Sequence, residues 1–423
     1  MTDEKMLVGP FAQILTMRGL PGGGHIHDAQ LEIVEGGAVL LEGGRISRVL
    51  DRAELERVEQ SPQSAPYTHL RRDMVLLPGL VDCHTHICYA GSRIEEYGRR
   101  LAGESYHDIA ASGGGIMSTV RSTRAESEAD LARSLAKRAE EHLARGVTTC
   151  EVKSGYGLEM EAELRMLRAI ERVNRMGWIY PDLVPTCLAA HVLPHEFRSE
   201  REYLEMVLTS LLPAIRKEGL ANRVDAYLDQ GAFSVEEGER YLKEAKDMGF
   251  DIVVHADQFE VGGSEVAARL RAKSADHLER TGKKELGQLK EAGVAATVLP
   301  CSTLGLGLGF APAHAMLDAG LTVAIASDWN PGTAPMGDLM VGAALLASAE
   351  KLTAAETYAG LTCRAASALG LKDRGTIQAG MMADMVAFPC SSYLEPLYRQ
   401  GALRPCVVIR RGKMIDLQFP GGR

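Results

Sequence analysis

Leu76-Leu77-Pro78-Gly79-Leu80-Val81-Asp82-Cys83-His84-Thr85-His86 is the stretch on which the fold turns. It reads as one buried strand that delivers a pair of histidines. Pro78 and Gly79 punctuate its start, and Leu80 and Val81 suit a sheet buried on both faces. His84 and His86 are two apart, so on an extended chain both side chains leave the same face. Neutral imidazoles placed in this way can share one ion. Cys83 falls on the opposite face and reads as packing. An isolated His-x-His is as readily a pair of satisfied polar residues, so its meaning depends on the chain around it.

Outward from that stretch, residues 76–374 alternate apolar strand-like runs with amphipathic helical runs. Strand patterns fall at 148–152, 183–190, 223–227, 251–256, 295–299 and 321–327. Helical patterns fall at 127–144, 161–176, 235–248, 264–272, 283–292 and 354–369. Strand-then-helix repetition implies parallel strands joined by right-handed crossovers. The length favours a closed (β/α)8 TIM-like barrel over an open sheet. Residues 38–49 read as a hairpin around Gly43-Gly44, and 385–388 with 407–415 repeat the strand–turn–strand pattern. The α/β chain therefore divides into 1–75 and 375–423, which together form a small β-sandwich domain, and a barrel over 76–374. His25 and His27, beside the Gly22-Gly23-Gly24 loop, read as surface residues.

The 423 residues have 46% hydrophobic and 24% charged content, ordinary for a globular protein. A net charge of −9 argues against general nucleic-acid or anionic-membrane binding. No run approaches the roughly 20 apolar residues of a membrane span. The acidic start MTDEKMLVGPF lacks a signal-peptide core, and the eight cysteines form no CxxC pair. A cytoplasmic protein with reduced thiols is expected. Gly113–Gly115 and Gly305, Gly307 and Gly309 lack the context of a dinucleotide-binding loop. They read as loops that approach a substrate closely or that move.

In such a barrel the strand C-termini converge on one mouth. The strand ends here carry His84 and His86; Lys153, Ser154, Gly155 and Tyr156; His191; His255, Asp257 and Gln258; His277; and Asp328 with Asn330, Gly332 and Thr333. One such residue would mean little, but six chemically active strand ends are hard to explain by packing. Three His and one Asp would hold a divalent metal and leave room for a water, whose pKa falls to near neutrality there. Asp328 could ligate and also take a proton. His277 or His191 could stabilise an oxyanion. Arg93, in the loop beyond the first strand, presents a fork suited to a substrate carboxylate, or equally to a surface salt bridge.

These residues resemble the amidohydrolase superfamily and, within it, the imidazolonepropionase family. The resemblance is carried by LPGLVDCHTHICYAGSR, SGGGIMSTVRSTR, EVKSGYGLEMEAELRMLRAIERV, AAHVLP, HADQ followed by GGSE, SADHLE and SDWNPGTAP. It implies hydrolysis of 4-imidazolone-5-propanoate to N-formimidoyl-L-glutamate, in histidine degradation, at one zinc or iron ion, zinc being favoured. Carried over by residue, the metal falls to His84, His86, His255 and Asp328. Substrate contacts fall to Arg93, Tyr156, His191 and Gln258, with Tyr106 near the propanoate end. Product contacts fall to Tyr156, Asn330, Gly332 and Thr333. A homodimer is implied by the resemblance alone.

Two departures from the family pattern matter. Gln258 stands where some members have Glu, leaving Asp257, His277 and Asp328 to share proton transfers. The stretch 299–307 is Gly/Leu-rich where aromatics are usual, which implies a larger or more mobile pocket and admits a related cyclic amide as substrate. Lys153 reads as a structural or hydrogen-bonding residue in preference to a carboxylated metal bridge. Two other readings remain: an aminohydrolase acting on a heterocycle, and a metal-containing binding protein without activity.

Overall fold

The computed structural model describes residues 5–60, 67–70, 73–104, 108–109 and 113–417. Its centre is an eight-stranded parallel sheet in chain order: β1 (Leu80–Asp82), β2 (Val147–Lys153), β3 (Asp182–Ala190), β4 (Arg223–Leu228), β5 (Asp251–Ala256), β6 (Ser274–His277), β7 (Ala295–Val298) and β8 (Val323–Ile325). Every residue of β2 is buried, as are all those of β6, β7 and β8. Burial on both faces is what a sheet covered by crossover helices requires, and it explains the continuous apolar runs.

The sheet curls until its two edges meet. Ser327 N donates to Asp82 Oδ1 (2.9 Å), Asp328 N to His84 O (3.0 Å) and His86 N to Trp329 O (2.9 Å). Thr85 and Trp329 form a parallel bridge across the same seam. The chain thus closes as a barrel at the point where Asp328 meets the histidine pair.

The five helical runs before 300 appear as Glu128–Ala144, Met160–Asn174, Val235–Asp247, Gly263–Arg269 and Lys283–Ala292. The sixth is two helices, Ala354–Leu361 and Cys363–Ala368, broken where Thr362 leaves helical geometry. The Gly/Leu-rich stretch corrects its expectation: Pro300–Leu306 is a helix. Pro300 supplies the fixed φ of a first turn, and Gly307, at φ +69°, ends it. Gly305 is required by close packing, since a Cβ there would lie 1.7 Å from Thr333 O.

Outside the barrel, two sheets share a core. One has the order Arg45–Leu50, Ala38–Glu42, Lys5–Gly9, Tyr67–His69. The other has Lys413–Asp416, Val407–Arg410, Met385–Phe388, Val75–Pro78, Gln13–Leu15, Ile33–Glu35. Val8, Val39 and Ile46 of the first pack with Ile14, Leu76, Met385 and Ile409 of the second. Both chain ends therefore contribute to one sandwich.

That arrangement also corrects the opening stretch. Val75–Pro78 belongs to the sandwich, paired with Met385–Phe388, whereas Leu80–Asp82 is in the barrel. Gly79 is the crossing point, where a Cβ would sit 2.2 Å from Thr148 Oγ1. The run marks the change of sheet only by Pro78 and that glycine, which read equally as the entry to a single strand.

Candidate active site

His84 and His86 lie just past β1, and Thr85 between them is held to Trp329. Their Nε2 atoms are 3.2 Å apart. His255, on β5, brings its Nε2 to 3.4 Å from that of His86. Asp328, just past β8, places Oδ1 3.3 Å from His86 Nε2 and 3.6 Å from His84 Nε2. All four residues are buried. Donors about 2.1 Å from one ion in tetrahedral array stand ~3.4 Å from each other. The observed separations match that figure.

The protons on these rings sharpen the case. His84 Nδ1 is 2.6 Å from Asp276 Oδ2, and His255 Nδ1 is 2.9 Å from Asp225 Oδ2. Each carboxylate fixes the proton on Nδ1 and leaves a lone pair on Nε2. Burial lowers His84 well below its usual pKa, and burial takes His255 down to about 4 in spite of Asp225. Burial opposes ionisation of Asp328, but the His86 contact and neighbouring imidazoles hold it at about 2. Neutral Nε2 lone pairs thus converge with the buried carboxylate oxygen Asp328 Oδ1, an arrangement that a cation relieves. The residues fit a divalent metal.

Behind the ligands lies a buried charge network. Lys153 Nζ is 2.7 Å from Glu151 Oε2, 2.8 Å from Asp225 Oδ2 and 3.8 Å from Asp276 Oδ2. Burial disfavours its charge, but Asp225 and Glu151 more than compensate and shift it upward. Carboxylation needs a neutral amine, so this ammonium reads as a counter-ion to the carboxylates that hold His84 and His255. Glu151, Asp225 and Asp276 were not among the site residues expected from sequence. The available signal was an acidic residue inside a buried run.

Further polar groups surround the cluster. The His191 ring stacks on His86 at 5.3 Å, and its Nδ1 lies 2.9 Å from Gly155 O. Tyr156 lies between His86 (6.0 Å) and His191 (5.5 Å). His277 is within ligand distance of His84 and His255, and its Nδ1 faces Glu279 at 3.6 Å. Gln258 is buried, and its Oε1 accepts from Tyr227 OH at 2.8 Å. His277 and Asp328 take left-handed backbone angles, φ +84° and +50°. Such strain persists only where the surroundings over-determine it.

A cavity of about 540 Å³ adjoins this cluster, lined in part by Tyr89, Arg93, Gly305, Gly332 and Thr333. Tyr89 links the two, since its ring meets Tyr156 at 6.3 Å. Arg93 Nε and Nη2 both lie on Glu96 Oε2, at 2.9 and 2.8 Å. Its Nη1 packs on Gly332, where a Cβ would lie 2.3 Å away. Asn330 is committed to its own turn: Oδ1 accepts from Gly332 N and Thr333 N, and Nδ2 donates to Asp328 O.

Asp257 is not part of the cluster. Its left-handed backbone (φ +55°) turns the carboxylate to Gly262 N, Ser264 N and Thr281 Oγ1, where it caps the following loop. This removes it from the proton-transfer candidates. Tyr106 lies outside the described residues. His25 and His27 are exposed, and Cys83 is buried in a cluster with Ala324 and Ala365.

A parallel barrel whose seam carries imidazoles and a carboxylate converging on one point defines a hydrolase of the amidohydrolase class, and a model described as the amidohydrolase family matches residues 75–416. The same fold occurs in an adenosine deaminase from Xanthomonas campestris with bound zinc (TM-score 0.69, 20% identity, covering 97% of this chain and 92% of that one). It recurs in a mutant atrazine chlorohydrolase from Arthrobacter aurescens complexed with zinc and atraton (TM-score 0.68, 17% identity, covering 99% and 97%). The chain is 38% identical over 416 residues to an imidazolonepropionase of Bdellovibrio bacteriovorus, covering 97% of this chain and 96% of that one. It is 43% identical over 341 residues to an imidazolonepropionase of Myxococcus xanthus, covering 80% of each. The chain belongs to the imidazolonepropionase family of amidohydrolases.

Proposed function

We propose that this chain opens the ring of 4-imidazolone-5-propanoate, adding water across its amide C–N bond to give N-formimidoyl-L-glutamate. The observation that carries the reading is the cluster around His86 Nε2, which lies 3.2 Å from His84 Nε2, 3.4 Å from His255 Nε2 and 3.3 Å from Asp328 Oδ1, beside a cavity holding an arginine. These four residues would hold the divalent ion. A bound ion there supplies a Lewis acid that lowers the pKa of a water and polarises a carbonyl.

The chain's own groups do the rest. Asp328, ionised at neutral pH, accepts the proton of the attacking water. The water oxygen adds to the ring carbonyl carbon, and the C–N bond breaks as the ring nitrogen takes up a proton. Burial disfavours the charge of His277, but Glu279 at 3.6 Å from Nδ1 and the nearby carboxylates raise its pKa, so as an imidazolium it is placed to supply that proton and to take back the one held by Asp328. Gln258 cannot take a proton, so its role is to donate an amide N–H to the ring, with Tyr227 fixing its carbonyl. His191 and Tyr156 pack the ring, and Arg93 meets the propanoate carboxylate from the cavity.

Zinc suits three imidazoles and one carboxylate, and we assign it over iron on that donor set. Eight free thiols favour a reducing cytoplasm. The test is freshly prepared imidazolone propanoate supplied to zinc-loaded and iron-loaded protein, with loss of ultraviolet absorbance followed. Turnover to formimidoylglutamate without ammonia is expected. Ammonia released with the ring intact would instead mark an aminohydrolase, and no turnover with either metal would overturn the assignment.

A further inference from the structure

The loop Ser154-Gly155-Tyr156-Gly157-Leu158 follows β2 and carries Tyr156 into the site. It has no regular structure of its own, so its backbone groups need partners from elsewhere. They find them in Glu163, on the helix Met160–Asn174, whose carboxylate is fully buried. Glu163 Oε1 accepts from Gly155 N (3.1 Å), Gly157 N (2.8 Å) and Leu158 N (2.9 Å), and Oε2 also lies 3.1 Å from Gly155 N. The acceptor therefore takes the N–H groups on both sides of Tyr156.

The opposite edge of the loop is held as firmly. Arg124 Nε donates to Gly157 O (2.6 Å) and Nη2 to Leu158 O (3.2 Å). Gly155 O faces His191 Nδ1 at 2.9 Å. The two glycines are what let the loop come this close. At Gly157 a Cβ would meet Glu163 N at 2.6 Å and Glu163 Oε1 at 2.9 Å; at Gly155, with φ +104°, it would meet Leu188 O at 2.7 Å. Arg124 and Glu163 lie in two of the sequence stretches that define the family resemblance, and neither reaches the ligand cluster.

We infer that Glu163 is a positioning residue for substrate binding: its carboxylate gathers the N–H groups flanking Tyr156 and sets that side chain against the substrate ring. The inference rests on the proposed ring-opening reaction. A buried acceptor serving three donors orients a loop more sharply than loop packing can, because each donor left unmade carries its own desolvation cost.

The experiment is Glu163→Gln, assayed with imidazolone propanoate on metal-loaded protein, alone and combined with Tyr156→Ala. Gln keeps the shape but, with its amide oxygen in the place of Oε1, it sets an NH2 against Gly155 N and turns the three charge-assisted bonds to the loop into weaker neutral ones. KM is expected to rise about tenfold or more, with kcat within roughly threefold and metal content unchanged, the signature of lost ground-state positioning. In the Tyr156→Ala background the added KM penalty shrinks to less than about threefold, because the ring being positioned is gone. Gly157→Ala perturbs the same junction from the loop side, keeps the carboxylate, and is read by the same cycle should Glu163→Gln fail to fold. An unchanged KM, or an equal penalty in both backgrounds, overturns the inference. Absence of turnover by the unaltered protein would instead overturn the reaction itself.

Discussion

Replacing Asp225 by Asn removes one charge behind a metal ligand and nearly nothing else. Asp225 lies in mid-β4, fully buried, with Oδ2 serving both His255 Nδ1 (2.9 Å) and Lys153 Nζ (2.8 Å). Burial disfavours its charge, but His255 and Lys153 outweigh that and hold its carboxyl far below the usual range, so it is ionised at neutral pH. Asn leaves His255 a weaker acceptor and leaves Lys153 more positive toward a cation; both effects lower metal affinity. Substitutions of this kind cost about 10- to 100-fold in affinity, or about 1.4–2.7 kcal/mol.

The fold loses less, because Lys153 keeps Glu151 at 2.7 Å and Asp276 at 3.8 Å. Breaking a buried pair outright costs about 3–5 kcal/mol, and we expect about 2 kcal/mol here. An unfolding entropy of about 2.1 cal/mol/K per residue gives about 0.9 kcal/mol/K for a chain this long, so the metal-free midpoint should fall by about 2 °C. Zinc affinity is measured by competition with a chromophoric chelator, and metal-free stability by calorimetry. In a His255→Ala background the affinity effect of Asp225→Asn should shrink to the part that acts through the charge of Lys153. Zinc affinity within twofold of the unaltered protein, with the stability loss present, would show that the charge supports the fold without tuning the ligand.

Other substitutions probe other parts of the molecule. Asp328→Ala should abolish turnover even after metal is restored, and near-normal rates would sink the assignment of Asp328 as ligand and proton acceptor. Arg93→Ala should raise KM about 10- to 100-fold with little change in kcat, as loss of a charge-assisted carboxylate contact predicts; Gly332→Ala, which displaces the Arg93 guanidinium, should do the same more weakly. Asp182, half-enclosed by Arg410, Arg374 and Arg411, ties the barrel to the sandwich. Burial raises its pKa, but the three arginines prevail and lower it. Its contribution, about 2 kcal/mol after discounting for its partial exposure, is present above the unfolded value near pH 4 and is lost as pH falls through the depressed folded value. The stability gap between the protein and Asp182→Asn, read by denaturant melts, should therefore close below about pH 4; a gap independent of pH would show that the charge is not the cause.

The strand ends were legible because barrel geometry places them together and His and Asp stand out against apolar runs. Three features were not legible, each for a physical reason. Leu76 to Val81 is apolar throughout, and periodicity does not distinguish one strand from two strands in different sheets. Pro300–Leu306 was masked by glycines that are there for close packing, and Gly305 reads the same in a mobile loop as in a helix pressed on Thr333. Asp257 occupies a strand end like the ligands, but only its left-handed backbone reveals that it faces the loop instead.

The charge network was missed for a different reason, and barrel layering supplies the missing rule. Side chains of one interior layer come from alternate strands. Lys153 is on β2, Asp225 on β4 and Asp276 on β6, so the three titratable groups come from even-numbered strands. The ligands come from the ends of β1, β5 and β8. Register places Asp276 opposite His255 and Tyr227 beside it, two residues beyond Asp225. An ionised group in such a layer needs a partner of opposite sign in the same layer, or it is not tolerated. A lysine at the end of a buried strand therefore implies acids on the next even strands, and acids there imply imidazoles above them to hold. Read in that order, Lys153 points to Asp225 and Asp276, and they in turn to His255 and His84, which reaches the ligand cluster by a route independent of the His-x-His pair.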